Sequence, residues 1–152
     1  MVEKFSVRRA RRDDMEAIFE LSNEEVVRQH SINSNPIQWS DHQKWFSEKI
    51  ADVACEFYVV ETLDGLFIGQ VRIEKRDANI ISISISKEFR GKRLATPILE
   101  KVSSMSSFQP ITAFVKKDNP SSLRSFEHAG YRCAGEMTKD SQPCWVLKYE
   151  CK

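Results

Sequence analysis

The segment SKEFRGKRLATPILEK, residues 86–101, sets a basic turn between two regular patterns. Before it, isoleucine and serine alternate in NIISISIS (residues 79–86). After it, Leu94, Ile98, Val102 and Met105 recur at helical spacing. A helix N-terminus carries unpaired backbone N–H groups and a partial positive charge, so a basic strand-to-helix turn suits an anion. Gly91 lets the backbone approach a bulky ligand, and small Ala95 leaves room at the helix start. Arg90, Lys92 and Arg93 add charge-assisted contacts or long-range attraction. A pyrophosphate meets these requirements. The turn is not a Walker-type phosphate loop, because no Gly-Lys-Ser/Thr ending is present.

The rest of the chain must position that turn. Its 152 residues fit one domain, residues 1–152, with 41% hydrophobic and 30% charged residues, an ordinary globular composition. Net charge is +1, so bulk electrostatics argue for neither nucleic acid nor membrane, and an anion site must be local. Arg8, Arg9, Arg11 and Arg12 read as a solvated strand end and its loop. No apolar run resembles a signal peptide or reaches transmembrane length, and the four cysteines form no Cys-x-x-Cys pair. A cytoplasmic chain with reduced thiols and no metal site is therefore expected.

Residues 4–9 read as a first strand. Asp13 with Glu16, and Ser40 with Gln43, look like capping boxes opening two helices, separated by a loop over residues 28–39. EFYVVET, LFIGQVRIEKR and NIISISIS follow as an antiparallel meander, its connections too short for crossover helices. The helix after the basic turn, the strand ITAFVKK, a helix bounded by Asn119-Pro120 and Gly130, and a hairpin of YRCAGEM with CWVLKYE complete the order. The expectation is an α/β mixed sheet, seven-stranded and mostly antiparallel, with helices on both faces.

At this point the chain resembles the GNAT N-acetyltransferase superfamily, whose cofactor motif is Arg/Gln-x-x-Gly-x-Gly/Ala at a helix start. Arg90 fills the first position and Ala95 the last, while Arg93 stands where glycine is usual. The resemblance implies a splayed strand pair and acetyl-CoA as co-substrate. Its pyrophosphate would lie on Arg90, Gly91, Lys92, Arg93, Leu94, Ala95 and Thr96, and its pantetheine arm on the backbone of Ile83, Ser84 and Ile85. DNPSSLRSFEHAGY resembles a second family signature, in which Asn119 and Ser122 match positions that touch the CoA arm. Phe126 occupies the position of a tyrosine thought to protonate the departing thiolate, and phenylalanine has no proton to give.

Many members of that family use a glutamate on the fourth strand as base, but this strand holds only isoleucines and serines between Asn79 and Ser86. His42, Glu74, or a water held by Ser82 or Ser84 are the candidates. For the acceptor, RQHSINSNPIQWSDHQKWF is dense in hydrogen-bonding groups and aromatics. Asn33, Asn35, Trp39 and His42, joined by Gln70 and Arg72, are candidates to read a hydroxyl-rich ligand stacked on an indole. GQVRIEK and ISISISKEFRGKRLATPIL further resemble acetyltransferases of UDP-amino sugars in nonulosonic acid pathways such as pseudaminic acid synthesis. That resemblance implies a nucleotide-linked amino sugar as the small-molecule acceptor, with neither nucleic acid nor membrane as partner and a homodimer compatible. A ribosomal-protein or peptide N-terminal acetyltransferase and a non-catalytic acyl-CoA-binding module are the alternatives.

Overall fold

The computed structural model describes residues 5–31 and 35–151. Seven strands form one sheet: β1 (Phe5–Arg9), β2 (Cys55–Thr62), β3 (Phe67–Lys75), β4 (Asn79–Ile85), β5 (Ile111–Lys116), β6 (Arg132–Lys139) and β7 (Gln142–Tyr149). Their order is β1-β2-β3-β4-β5-β7-β6, and every pairing is antiparallel except β4 with β5. Five helices flank the sheet: α1 (Met15–Ser22), α2 (Glu25–His30), α3 (Trp39–Ala51), α4 (Ala95–Met105) and α5 (Pro120–His128). Among the described residues no helix is long and apolar enough to cross a membrane.

Strand alternation divides the apolar side chains between two cores. On one face Ile81, Val71, Ile73 and Val115 pack with Ile98, Leu99 and Val102 of α4 and Phe126 of α5. On the other, Phe57, Val59 and Cys55 of β2 pack with Ile18 of α1 and Phe46 of α3. The meander from β2 to β4 is as expected from its short turns, with Gly65 at φ 90° in the first of them.

Four local expectations change. Residues 28–39 are not all loop, because α2 occupies Glu25–His30. The first helix begins at Met15, after a short 3₁₀ turn over Arg12–Asp14, and Asp14 rather than Asp13 makes the local bonds: it accepts from the Arg11 N–H at 2.7 Å. The second capping box is also absent, since α3 starts at Trp39 without a side-chain cap. The basic cluster is only partly solvated. Arg8 donates to both carboxylate oxygens of Asp14 at 2.8 Å and to Glu61 at 3.0 Å and 3.1 Å.

Candidate functional site

Strands β4 and β5 start side by side and then part. Only Asn79 with Ile111 and Ile80 with Thr112 are in register, so residues 81–85 lose their neighbour on that side. Within an antiparallel pair the N–H and C=O of one residue point the same way, and successive residues alternate. The Ser86 N–H donates to Ile68 on β3 at 2.8 Å, so the Ile83 and Ile85 backbone groups face the gap while those of Ser84 face β3. Of the three residues expected to offer backbone bonds there, Ser84 is corrected. Its hydroxyl instead accepts from Gln70 Nε2 at 3.3 Å. The Ile85 carbonyl is already bonded, by Arg90 Nε at 2.9 Å. Ile83 therefore offers the gap both a donor and an acceptor.

The gap opens into a cavity of about 610 Å³ that passes from one face of the sheet to the other. On the α4–α5 face its walls are Ile81, Ile83, Ile85, Leu99, Val115 and Phe126, with hydroxyls from Ser121, Ser122 and Ser125. On the opposite face they are Gln70, Arg72, Ser82, Ser84, Phe114 and Lys116 of the sheet, and Val27, Arg28, His30 and Ser31 of the α2 region.

The basic turn sits where the strand ends. Gly91 has φ 76°, and a Cβ added there would meet nothing within 4 Å, so its outer side is open to a ligand. Arg93 has φ 59°, the left-handed conformation that glycine takes freely and other residues adopt at a cost of roughly 1–2 kcal/mol. A glycine-like conformation thus occurs where the family motif has glycine, and the Arg93 side chain is exposed. Leu94 provides no side-chain cap to α4, which leaves the Ala95 and Thr96 amides open. An uncapped turn beside an unpaired strand edge fits the diphosphate and amide arm of a coenzyme. Asn119 contributes from across the gap, where its Oδ1 caps α5 on the Ser122 N–H at 3.2 Å and its side chain lines the cavity. Arg90 departs from its expected role. Its guanidinium is tied to Glu24, at the start of α2, as well as to Ile85, so it straps α2 to the turn.

The sheet face toward α2 is cationic. Arg28 and Arg72 line the same cavity, and burial first, then the charge of Arg72, hold the Arg28 guanidinium below its ordinary range. Arg72 lies over the Trp45 ring at 4.8 Å and donates to Gln70 Oε1 and Glu74 Oε1, each at 3.3 Å. Lys116 reaches across β5 to the Gln29 carbonyl at 2.8 Å. Among the described residues lining the cavity, none is Asp or Glu.

Several expected site residues lie elsewhere. His42 is 1% exposed, ringed by Phe19, Trp39, Trp45 and Phe46, with Nε2 bonded to the Met15 carbonyl at 2.8 Å. It is a core residue, so neither base nor acceptor contact. Glu74 is enclosed by Lys49 at 2.6 Å, Arg76 at 2.9 Å and Arg72 at 3.3 Å, and outside the cavity lining. Burial opposes its charge, but the hydrogen bonds from Lys49 and Arg76 and the charge of Arg72 prevail, and its carboxyl is lowered to about 2. A carboxylate held so firmly ionised is a poor proton acceptor. Trp39 packs edge-on against Phe19 at 4.9 Å and does not line the cavity. Asn35 is also outside the lining, its carbonyl accepting from Arg28 at 2.9 Å, and Asn33 lies outside the described residues. Gln70 and Arg72 do face the cavity. Phe126 lines it as hydrocarbon, edge-on to Tyr131, whose hydroxyl is bonded to Ser103 at 2.7 Å. Arg28 and His30 lie in the segment expected to serve the acceptor but were not singled out, and Lys116 gave no signal, because long-range packing brings the three together.

Residues 4–132 match a family model described as an acetyltransferase (GNAT) domain. No curated protein sequence matches the chain. Among solved structures, it is similar to spermidine N-acetyltransferase from Vibrio cholerae in complex with CoA and spermine. The TM-score is 0.86 at 19% identity, covering 97% of this chain and 95% of the other. It is also similar to an aminoglycoside acetyltransferase in complex with coenzyme A and kanamycin, with TM-score 0.79, 16% identity, and coverage of 96% and 94%.

Proposed function

Because this chain belongs to the GNAT acetyltransferase family, we propose that it transfers the acetyl group of acetyl-CoA directly to the primary amine of a small anionic acceptor, a nucleotide-linked amino sugar being the kind that fits. Acetyl-CoA would enter from the α4–α5 face, its diphosphate at the Ala95 and Thr96 amides and its arm against Ile83. A backbone N–H aimed at the thioester oxygen is worth about 3 kcal/mol where such donors have been removed. Alignment of the two substrates contributes more, roughly 7–11 kcal/mol in favourable cases.

The observation that carries the acceptor class is the chamber formed by Arg28, Arg72 and Lys116, with no carboxylate among its described lining residues. A polyamine such as spermine would meet like charge there. A diphosphate would relieve the repulsion between the guanidiniums, and Gln70, Ser82 and Ser84 offer partners for sugar hydroxyls. Thiol release with a UDP-linked 4-amino sugar, spermidine, kanamycin and a peptide N-terminus, checked by product mass, tests this reading. The UDP-amino sugar should be acetylated fastest; preference for spermidine would refute the acceptor class. Acetyl-CoA binding with no turnover on any amine would point instead to a CoA-binding module.

Two substitutions separate the halves of the cavity. Arg72→Leu removes a charged hydrogen-bond donor and keeps some packing on Trp45. It should raise KM for an anionic acceptor about 10–100-fold, and that for acetyl-CoA far less. Arg90→Glu sets a carboxylate against Glu24 and frees the Ile85 carbonyl. Acetyl-CoA affinity measured by calorimetry should fall about 10–100-fold with the fold retained. Undiminished affinity would exclude the turn as the diphosphate site.

A further inference from the structure

With His42 in the core and Glu74 locked among cations, neither side chain expected as base is available, and a water on Ser82 or Ser84 would still need an ionisable group to take its proton. We propose that His30 is that base: its Nε2 takes a proton from the acceptor's ammonium group while Asp118 orients the ring. The inference rests on the N-acetyltransferase reading above.

His30 ends α2 on the cationic face of the cavity, the side opposite the coenzyme turn's core. Its Nδ1 is buried without a hydrogen-bond partner, a costly state for a ring nitrogen. The facing group is Asp118 Oδ1 at 4.0 Å, on a carboxylate 65% exposed and therefore able to close that distance. Catalytic hydrogen bonds are often long before substrate binds. A bond from Nδ1–H to Asp118 fixes the tautomer that leaves the Nε2 lone pair outward. The imidazole side chain is 31% exposed although its Nδ1 is covered, and the residue lines the cavity.

Arg28 on the same helix and Lys116 on β5 line the same cavity as His30. Lys116 Nζ holds the carbonyls of Gln29 and Ser31, at 2.8 Å and 3.5 Å, on either side of His30 in sequence. Those bonds tie the backbone on both sides of His30 to β5. Asp118 is thus a positioning residue and His30 the group that meets substrate.

The step balances. One proton passes from R–NH3⁺ to Nε2, and the freed nitrogen lone pair forms the bond to the thioester carbonyl carbon. The carbon–sulfur bond breaks with its electron pair on sulfur, and a second nitrogen proton moves to that sulfur. The products are the amide, free thiol and protonated His30, which returns its proton to water.

The test uses whichever panel amine the wild-type protein acetylates fastest. His30→Gln should lower kcat about 10²–10⁴-fold at pH 7, with KM and calorimetric acetyl-CoA affinity little changed. At pH 9.5, where more of the amine is neutral, most of the deficit should disappear, and added imidazole should restore part of it at pH 7. Asp118→Asn should give a smaller loss with the same pH dependence. A kcat unaffected by His30→Gln overturns the proposal. So does a deficit equal at both pH values and indifferent to imidazole, the mark of a structural role. Wild-type inactivity on every amine overturns this proposal and the enzyme reading together, whereas an active wild type with a dispensable His30 overturns the base alone.

Discussion

Gly69→Ala should cost about 3 kcal/mol of stability and sharply reduce acetyl-CoA binding, although Gly69 is outside the cavity lining. A Cβ at this position would lie 2.2 Å from the Ser84 carbonyl oxygen, 3.1 Å from the Ile85 Cα and 3.2 Å from the Ser84 carbonyl carbon. All three are backbone atoms of β4, so no side chain can swing aside. Overpacking in cores typically costs about 1–3 kcal/mol, and a clash with paired backbone belongs at the upper end. The strand that must yield is the one whose free edge forms the gap wall, and Ile85, the register partner of Gly69, is where Arg90 anchors. Gly65→Ala supplies the contrast. That glycine has φ 90° but an open flank, in a turn outside the cavity lining, so it should lose about 1–2 kcal/mol without changing affinity. Thermal melts and calorimetry on both variants check this. Wild-type affinity in Gly69→Ala would show that β4 does not need its place against β3 to hold the coenzyme.

The same residue shows what sequence does and does not disclose. FIGQV reads as a strand by its residue types, and a glycine inside a strand signals close backbone approach, but which strand approaches depends on the sheet register. The Ile/Ser alternation placed β4, and Asn119-Pro120 placed α5, because each pattern is local. The basic turn proposed for the coenzyme was legible as a strand-to-helix turn for the same reason, and Arg93 there adopts a conformation that glycine takes freely. The chamber proposed for the acceptor was legible only in Gln70 and Arg72. Helix α2 has six residues and no buried one, so it leaves no apolar periodicity, and its place is set by distant partners such as Arg90 on Glu24 and Lys116 on Gln29. His42 shares a helix face with Phe46, an arrangement that suits a packed ring as well as a catalytic one. Only the Met15 carbonyl, 27 positions away in sequence, decides between them.

Glu74→Gln should cost about 2–3 kcal/mol, lowering the melting temperature by roughly 5–10 °C. The substitution is nearly isosteric, so its effect is electrostatic. Lys49, Arg72 and Arg76 converge on one carboxylate whose side chain is 12% exposed, and without it three cations face one another beside β3. Removing one partner of a buried ion pair is expensive because the remaining charge keeps its desolvation cost. The pH dependence has a definite sign. Because the folded-state carboxyl lies at about 2, below the ordinary 4.5, the native state favours the ionised form. Its stabilising contribution is complete above about pH 4.5, declines as pH falls toward 2, and is gone below that. Wild-type and Glu74→Gln melting curves should therefore converge across that acid window and stay parallel from pH 5 to 8. Replacing Lys49 by methionine in the Glu74→Gln background should recover part of the loss, since it removes one unpaired cation and adds packing. A Glu74→Gln protein as stable as wild type at pH 7 would mean that the cluster is solvated, and the rigidity it lends Arg72 would have to come from Trp45, Phe57 and Gln70.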